Sequence, residues 1–425
     1  MTSSRVQKDM DSNEVANLLK PDRPVRVALI GAGHRSRTIY RPITESLTPW
    51  ITIVAVCDPV RPHADALADA LNVPAYYDIR RLVADSIVEA AIVVTPIESH
   101  HSISVFLSSH AIHNLVETSW CSMLSQAREM ISTAKKNSTI IRVAENFFRF
   151  PVDRFAKIVR SSGCIGNIGR VFCYNDHTGY HNNSRWIAFA EQHPVSVQCV
   201  RHTMATKTFR HTPQRVYDSE AFEARFFVFP GDLLIADQAA NIKGFLGRHP
   251  RPGYTEWQGA AGTFVSRGSD GMATSMELRV CSLDDSPWVD VLLPVINECK
   301  GGQWARTYCE HPGCRLEYVN QLRTTEIVEH ERSDYYGICV MELVADFALA
   351  VRGLRASEYG EQDALMSLMM EIGARESAVQ QGALITLPLV DDLETDRTVR
   401  ESLHRAFGVD PLDVDAMLSV SFPRP

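Results

Sequence analysis

The chain is 425 residues long, beyond the size at which one hydrophobic core stops growing, so two domains are expected. Hydrophobic residues make up 45% and charged residues 22%, the mix of an ordinary soluble globular protein. A net charge of −8 argues against a general binder of nucleic acid or anionic membranes, because both rely on surplus Lys and Arg.

Residues 1–24 are polar, without the apolar core of a signal peptide, and read as a flexible tail. No apolar run approaches the roughly 20 residues that cross a bilayer. The expectation is a cytoplasmic protein whose partners include neither a membrane nor a nucleic acid. The ten cysteines form no CxxC pair and read as reduced thiols. Cys309, His311 and Cys314 form the only soft-ligand cluster, and without a spaced second pair no metal is expected there.

From Val25 to Ile30 the chain is β-branched and apolar, which predicts a buried strand running into Gly31-Ala32-Gly33. Further strands are expected at Ile51–Val56, Ala75–Tyr77, Ala91–Val94, Asn114–Val116 and Ile140–Val143. Helical spacing lies between them at Pro62–Leu71, near Arg81, at Ser102–Ser109 and at Leu124–Lys136. Such alternation predicts a parallel, doubly wound sheet with its ligand at the carboxyl ends of the strands.

Gly31-Ala32-Gly33-His34-Arg35-Ser36 nearly completes a dinucleotide-binding signature, with Ser in the third glycine position. The first two glycines permit a tight turn and close approach of a pyrophosphate to backbone N–H groups; the third position need only be small. The turn follows a strand and opens a helix, and Asp58 ends the next strand 25 residues after Gly33. An acidic group there hydrogen-bonds the adenosine ribose, which favours NAD; Arg61 keeps NADP open, since a guanidinium pairs with a 2′-phosphate.

Thr95-Pro96-Ile97-Glu98-Ser99-His100, the later His113 and Glu117, and Ala144 to Pro151 together resemble the Gfo/Idh/MocA oxidoreductases, the glucose–fructose oxidoreductase and inositol dehydrogenase family. The resemblance is strong in the first domain and patchy as far as Leu389. It implies that Gly31, Gly33, His34, Arg35, Ser36, Asp58, Thr95, Pro96, His100 and Glu117 surround an NAD cofactor. One departure stands out. The family's Glu-Lys-Pro is Glu117-Thr118-Ser119 here, so a hydroxyl replaces the ammonium that polarises the reacting oxygen or relays its proton.

The resemblance further implies a domain 1–24/25–150/151–425 division, the last part an α+β unit with a large open mixed or antiparallel sheet. Strand-like stretches at 215–230, 260–268, 274–282, 288–295 and 303–318 agree with this, as do helices at Val152–Ser161, Val340–Val351 and Ala364–Gln380. Gly244–Gly253 reads as an exposed loop. Family members place an acid–base pair four residues apart before a helix ending in Arg-Trp; His177 and His181 match that spacing before Arg185-Trp186. His181 is the better proton carrier by this reading, with His177 or Asp176 orienting it, because imidazole titrates near neutrality. A second register offers His202 with Gln198, but its setting alternates like a strand.

Together these readings predict an NAD(P)-dependent oxidoreductase moving hydride to or from a carbinol, carbonyl or imine carbon of a sugar, cyclitol or related polar metabolite. The loss of the lysine leaves two alternatives. One is a redox-neutral enzyme with tightly bound NAD (elimination, epimerisation or glycoside cleavage); the other is a non-catalytic dinucleotide sensor. A homodimer or homotetramer through the C-terminal sheet is expected, as apolar sheet faces need a cover.

Overall fold

The computed structural model describes residues 17–175, 179–212, 215–240, 253–269, 272–281, 290–311, 314–325, 327, 334–390 and 393–422. His177, Asp176 and most of the 244–253 loop lie outside them.

Six parallel strands form the first sheet: β1 (Val25–Ile30), β2 (Ile51–Cys57), β3 (Ala75–Tyr76), β4 (Ala90–Val93), β5 (His113–Val116) and β6 (Ile141–Val143). Their order is β3-β2-β1-β4-β5-β6, so the direction of travel reverses between β1 and β4 and opens a crevice at the carboxyl ends. The connecting helices are α1 (Arg61–Leu71), α2 (Ile79–Ala84), α3 (Ile97–Ser109) and α4 (Leu124–Lys136). Both faces of β1 are covered. Ala28 and Ile30 join one core with Leu107, Leu124 and Met130, while Val27 and Leu29 join another. That double burial is why the strand reads as an unbroken apolar run.

The last residues of the expected tail are packed. Leu18 is buried, and the Trp50 Nε1–H donates to the Leu19 carbonyl at 2.7 Å, so residues 17–24 lie against the first domain.

After α5 (Pro151–Ser162) the chain enters the second sheet through β7 (Ile168–Asn175), α6 (Gly179–Ala190), β8 (Ser196–Thr212), β9 (Arg215–Phe229) and β10 (Leu233–Ala240). It continues through β11 (Tyr254–Gly259), β12 (Gly262–Ser269), β13 (Met272–Cys281), β14 (Asp290–Lys300), β15 (Gln303–His311) and β16 (Cys314–Val319). Then follow α7 (Tyr335–Val351), α8 (Glu361–Val379), β17 (Ile385–Thr386) and α9 (Glu394–Phe407). The sheet has eleven strands in the order β16-β15-β14-β13-β12-β11-β7-β10-β9-β8-β17, with β7 and β10 the parallel pair. The stretch expected as one strand at 303–318 is a hairpin, β15 and β16, paired His311 to Cys314. β8 runs on well past the Pro194–Val200 alternation, because its pairing with β9 is long.

One helix crosses the expected boundary at 150. Ile338, Val340, Val344 and Ala348 of α7 pack with Val27 and Leu29 of β1, so the late helix completes the first domain's second face. A buried charge cluster fixes that crossing. Arg149 donates to Glu342 (3.2 Å), Asp346 (3.1 Å) and Glu358 (3.1 Å), and Arg154 pairs with Glu342 and Glu358. Every charge has a partner of opposite sign, the condition under which such burial is tolerated.

Candidate functional site

The glycine turn forms at the end of β1. Gly31 has φ +95°, and a Cβ there would lie 2.5 Å from the Val94 carbonyl oxygen, so only glycine fits. Beside Gly33 there is nothing within 4 Å of where a Cβ would stand. That open cradle at a helix start is the space a pyrophosphate takes in such turns. The Ser36 hydroxyl donates to the Gly31 carbonyl at 2.5 Å and is fully buried, so Ser in the third glycine position braces the turn. The helix it opens starts with a π-helical turn, Ser36–Tyr40. His34 is exposed at its start.

Asp58 ends β2, and its two oxygens accept from the Ala32 N–H (2.7 Å) and the Val60 N–H (2.8 Å). The carboxylate thus ties the turn to the second strand. Each oxygen keeps a second lone pair for a ribose hydroxyl. Arg61 lies over the Tyr77 ring at 4.0 Å. Turn, cradle and carboxylate fit a dinucleotide.

The segment after β5 crosses the same crevice. Glu117 is buried; its Oε1 accepts from Arg35 Nε (2.5 Å) and the Tyr40 hydroxyl (2.6 Å), and its Oε2 accepts from the Thr118 N–H (3.1 Å). Burial works against the Arg35 charge, but Glu117 outweighs it and holds the guanidinium above its ordinary range. Burial, then Glu117, push the Tyr40 phenol well up, so it stays a donor. Tyr40 carried no sequence signal, because its partner lies 77 residues away.

Thr118 turns its hydroxyl to Glu117 Oε2 at 3.5 Å, and the Thr118–Ser119 peptide is cis. Thr95 and Pro96 start α3, where Thr95 Oγ1 accepts from the Ser99 hydroxyl at 2.8 Å. His100 is buried, with Nδ1 3.0 Å from the Ser119 carbonyl and Nε2 2.9 Å from that of Thr95. Burial pulls its pKa down, and those carbonyls partly oppose the shift. The ring ties two loops together.

Next to this crevice stands a buried histidine–carboxylate pair. The His181 Nδ1–H donates to Glu145 Oε2 at 3.0 Å, both side chains buried, and the ring stacks on Phe147 (4.1 Å, 7°). The Ser184 hydroxyl donates to the same carboxylate oxygen at 3.2 Å. Glu145 leaves β6 and His181 lies in the first turn of α6, so the pair bridges the domains. Behind it Arg225 donates to the Gly179 carbonyl (2.8 Å) and to Asp237, which also accepts from Trp186 Nε1 (2.9 Å). A Cβ on Gly179 would come within 2.8 Å of that guanidinium. His202 is exposed on β8, apart from the pair.

A cavity of about 360 Å³ opens beside the pair, lined by Ser119, Trp120, Glu145, Tyr180 and Tyr359 at one end. Arg201, Glu223, Glu371 and Arg375 line the other. Its volume suits a small metabolite. Ser119 reaches this wall rather than Thr118, and Glu145 and Tyr180 stand in it, with His181 bonded to the former and packed on the latter (4.2 Å). The four charged residues at the far end were not read from the sequence. They come from strand and helix segments whose periodicity signals only packing. Among the described residues no group of three or more His, Cys, Asp or Glu is placed to hold a metal.

A doubly wound sheet with this turn, joined to a large open sheet beside a cavity, defines an NAD-binding oxidoreductase fold. Residues 25–145 match the family model described as "Oxidoreductase family, NAD-binding Rossmann fold". That domain matches the NAD-binding domain of the Gfo/Idh/MocA oxidoreductases, and its cofactor is NAD. No curated protein matches the chain. Among solved structures, an NAD binding oxidoreductase from Klebsiella pneumoniae is 16% identical with TM-score 0.66, over 87% of this chain and 100% of that one. Levoglucosan dehydrogenase, in complex with NADH and levoglucosan, is 15% identical with TM-score 0.64, over 86% and 100%. The WlbA dehydrogenase from Bordetella pertussis, in complex with NADH and UDP-GlcNAcA, is 14% identical with TM-score 0.61, over 87% and 99%. At such identities the likeness is one of fold.

Proposed function

We propose that the chain moves hydride to or from a carbinol, carbonyl or imine carbon of a sugar, cyclitol or related polar metabolite held in the 360 Å³ cavity. The observation that carries this reading is the buried Glu145–His181 pair at 3.0 Å, standing at the cavity beside the glycine-turn domain. Levoglucosan and UDP-GlcNAcA, bound with NADH in similar folds, support the substrate class.

NAD, when bound, accepts or returns the hydride. Gly31, Gly33, His34, Arg35, Ser36 and Asp58 would hold it, with Thr95, Pro96 and Glu117 along the crevice and His100 bracing the loops. Glu117 positions Arg35 and Tyr40, which both donate to its Oε1. His181 exchanges the proton of the reacting oxygen, through Glu145 where the carboxylate faces the substrate. The hydrogen bond to Glu145 fixes the imidazole tautomer and its orientation. Thr118 supplies a hydroxyl and no charge.

The test is NADH formation from a panel of sugars and cyclitols by the wild type and by His181→Ala. The expected outcome is turnover of at least one compound and a loss of about 10²- to 10⁴-fold in kcat for the variant, the range for a general acid–base group. Equal rates would remove His181 from the mechanism. The absent ammonium at Thr118 favours one second reading, redox-neutral chemistry on retained NAD; product formation without net NADH change identifies it. Dinucleotide binding with no turnover of any kind would leave the sensor reading.

The open sheet face supports self-association as a homodimer or homotetramer. Phe172, Val200, Met204, Val216, Phe226, Val228, Leu292 and Ile296 are exposed on β7, β8, β9 and β14, at even positions that share one side of the pleat.

A further inference from the structure

The far end of the cavity is built from two strands and a helix. Arg201 on β8 and Glu223 on β9 are direct antiparallel partners, with Nε and Oε1 3.6 Å apart. Cys199 and Arg225 are the next inward-facing pair, and α8 lies on that side, where the Ser377 hydroxyl accepts from the Cys199 N–H at 2.8 Å. From α8, Glu371 and Arg375 complete the wall.

The charges divide into two sets. Arg225 is spent on Asp237, the Gly179 carbonyl and Glu371 (3.3 Å). Of the two remaining guanidiniums only Arg201 meets a carboxylate, that of Glu223. The Arg201 contact is longer than the roughly 2.7–2.9 Å of a charge-assisted hydrogen bond. Arg375 donates weakly to the Glu371 carbonyl at 3.5 Å and has no carboxylate in ion-pairing distance among the described residues. Two guanidiniums thus face the cavity with donors in reserve.

We propose that Arg201 and Arg375 form a subsite for a carboxylate substituent on the substrate, with Glu223 as the counter-ion that the carboxylate replaces. The proposal rests on the reading of this cavity as the substrate site. Guanidinium forks match planar oxyanions, and the wall singles out a single charge. Arg201, Arg225 and Arg375 balance Asp237, Glu223 and Glu371, so protonating Glu223 frees one positive charge. A carboxylate is neutralised by it, whereas a phosphate dianion would leave charge over.

Glu223 is suited to give way. Burial pushes its carboxyl up, Glu371 adds to this, and Arg225, Arg201 and Arg375 only partly oppose it. The other titratable group facing it, Cys199 on β8, is held neutral, its thiol pushed up to about 12 by burial and by Glu223. Binding of the carboxylate takes up a proton at Glu223, so affinity falls as pH rises.

Calorimetry on the NADH-loaded protein tests this with D-glucuronate, D-galacturonate and D-gluconate against D-glucose, D-galactose and D-glucitol. At least one acid should bind about tenfold or more tightly than its neutral partner, a bidentate pair being worth on the order of a factor of ten. Its affinity should fall as pH rises above the ordinary carboxylate range, with proton uptake read from buffers of different ionisation heat. Glu223→Gln should remove both the pH dependence and the uptake, and Arg375→Gln should weaken the acid and spare the neutral compound. No acid preferred, or no proton taken up by the wild type, overturns the proposal without need of any variant. These are binding readouts. An acid that binds but does not turn over would count against the oxidoreductase reading alone, and turnover of neutral compounds with no acid preferred against the subsite alone.

Discussion

Gly31 shows how one residue decides the shape of the turn. Its φ of +95° is rare for any side chain, and a Cβ would stand 2.5 Å from Val94 oxygen, so space and conformation both demand glycine. Gly31→Ala should abolish NADH binding in a fluorescence titration, with circular dichroism reporting whether the fold survives. Unchanged affinity would contradict the assigned turn. Ser36 makes the complementary point. In the sequence it is a small residue standing in for glycine; folded, its hydroxyl closes on the Gly31 carbonyl. Asp58 was legible as an acidic strand end, but its bonds to Ala32 and Val60 were not. Which backbone N–H faces a carboxylate depends on the packing of two strands, and residue type alone does not encode it.

Elements are joined across the domains by charges of the same long-range kind. Glu89, just before β4, accepts both Arg352 Nη atoms (2.9 and 3.0 Å) from the end of α7, and the Arg26 N–H at 3.0 Å. The Arg352 hydrogen bonds hold its carboxyl down at about 2, against burial. A depressed carboxyl lends stability that is complete above the ordinary carboxylate pKa and disappears as pH falls through the folded value. The melting temperature of Glu89→Gln should therefore lie below wild type at neutral pH, and the gap should close between about pH 4.5 and about pH 2. A constant gap would rule out this linkage. The strands and helices around Glu89 were readable from periodicity. The packing of α7 on β1 was not, because an apolar helix does not announce which apolar face it covers.

At the scale of the whole molecule the eleven-stranded sheet carries exposed apolar side chains on one face among the described residues. Val200 and Leu292 there are 55% and 53% exposed. An apolar face of this kind is covered by a second copy in the reading adopted above. Phe226→Asp should shift the protein to a smaller species in sedimentation equilibrium while leaving NADH binding intact; a monomeric wild type would end that reading. Among the described residues no helix is long and apolar enough to cross a membrane. The order of strands and helices in the first domain, the glycine turn and the acidic end of β2 were determined by the sequence alone, because each depends on neighbours a few residues apart. The Arg35–Tyr40–Glu117 cluster and the Glu145–His181 pair join residues 82, 77 and 36 positions apart. Only tertiary structure decided those, and with them the cavity and its charged wall, since a buried charge is stable only where folding delivers its partner.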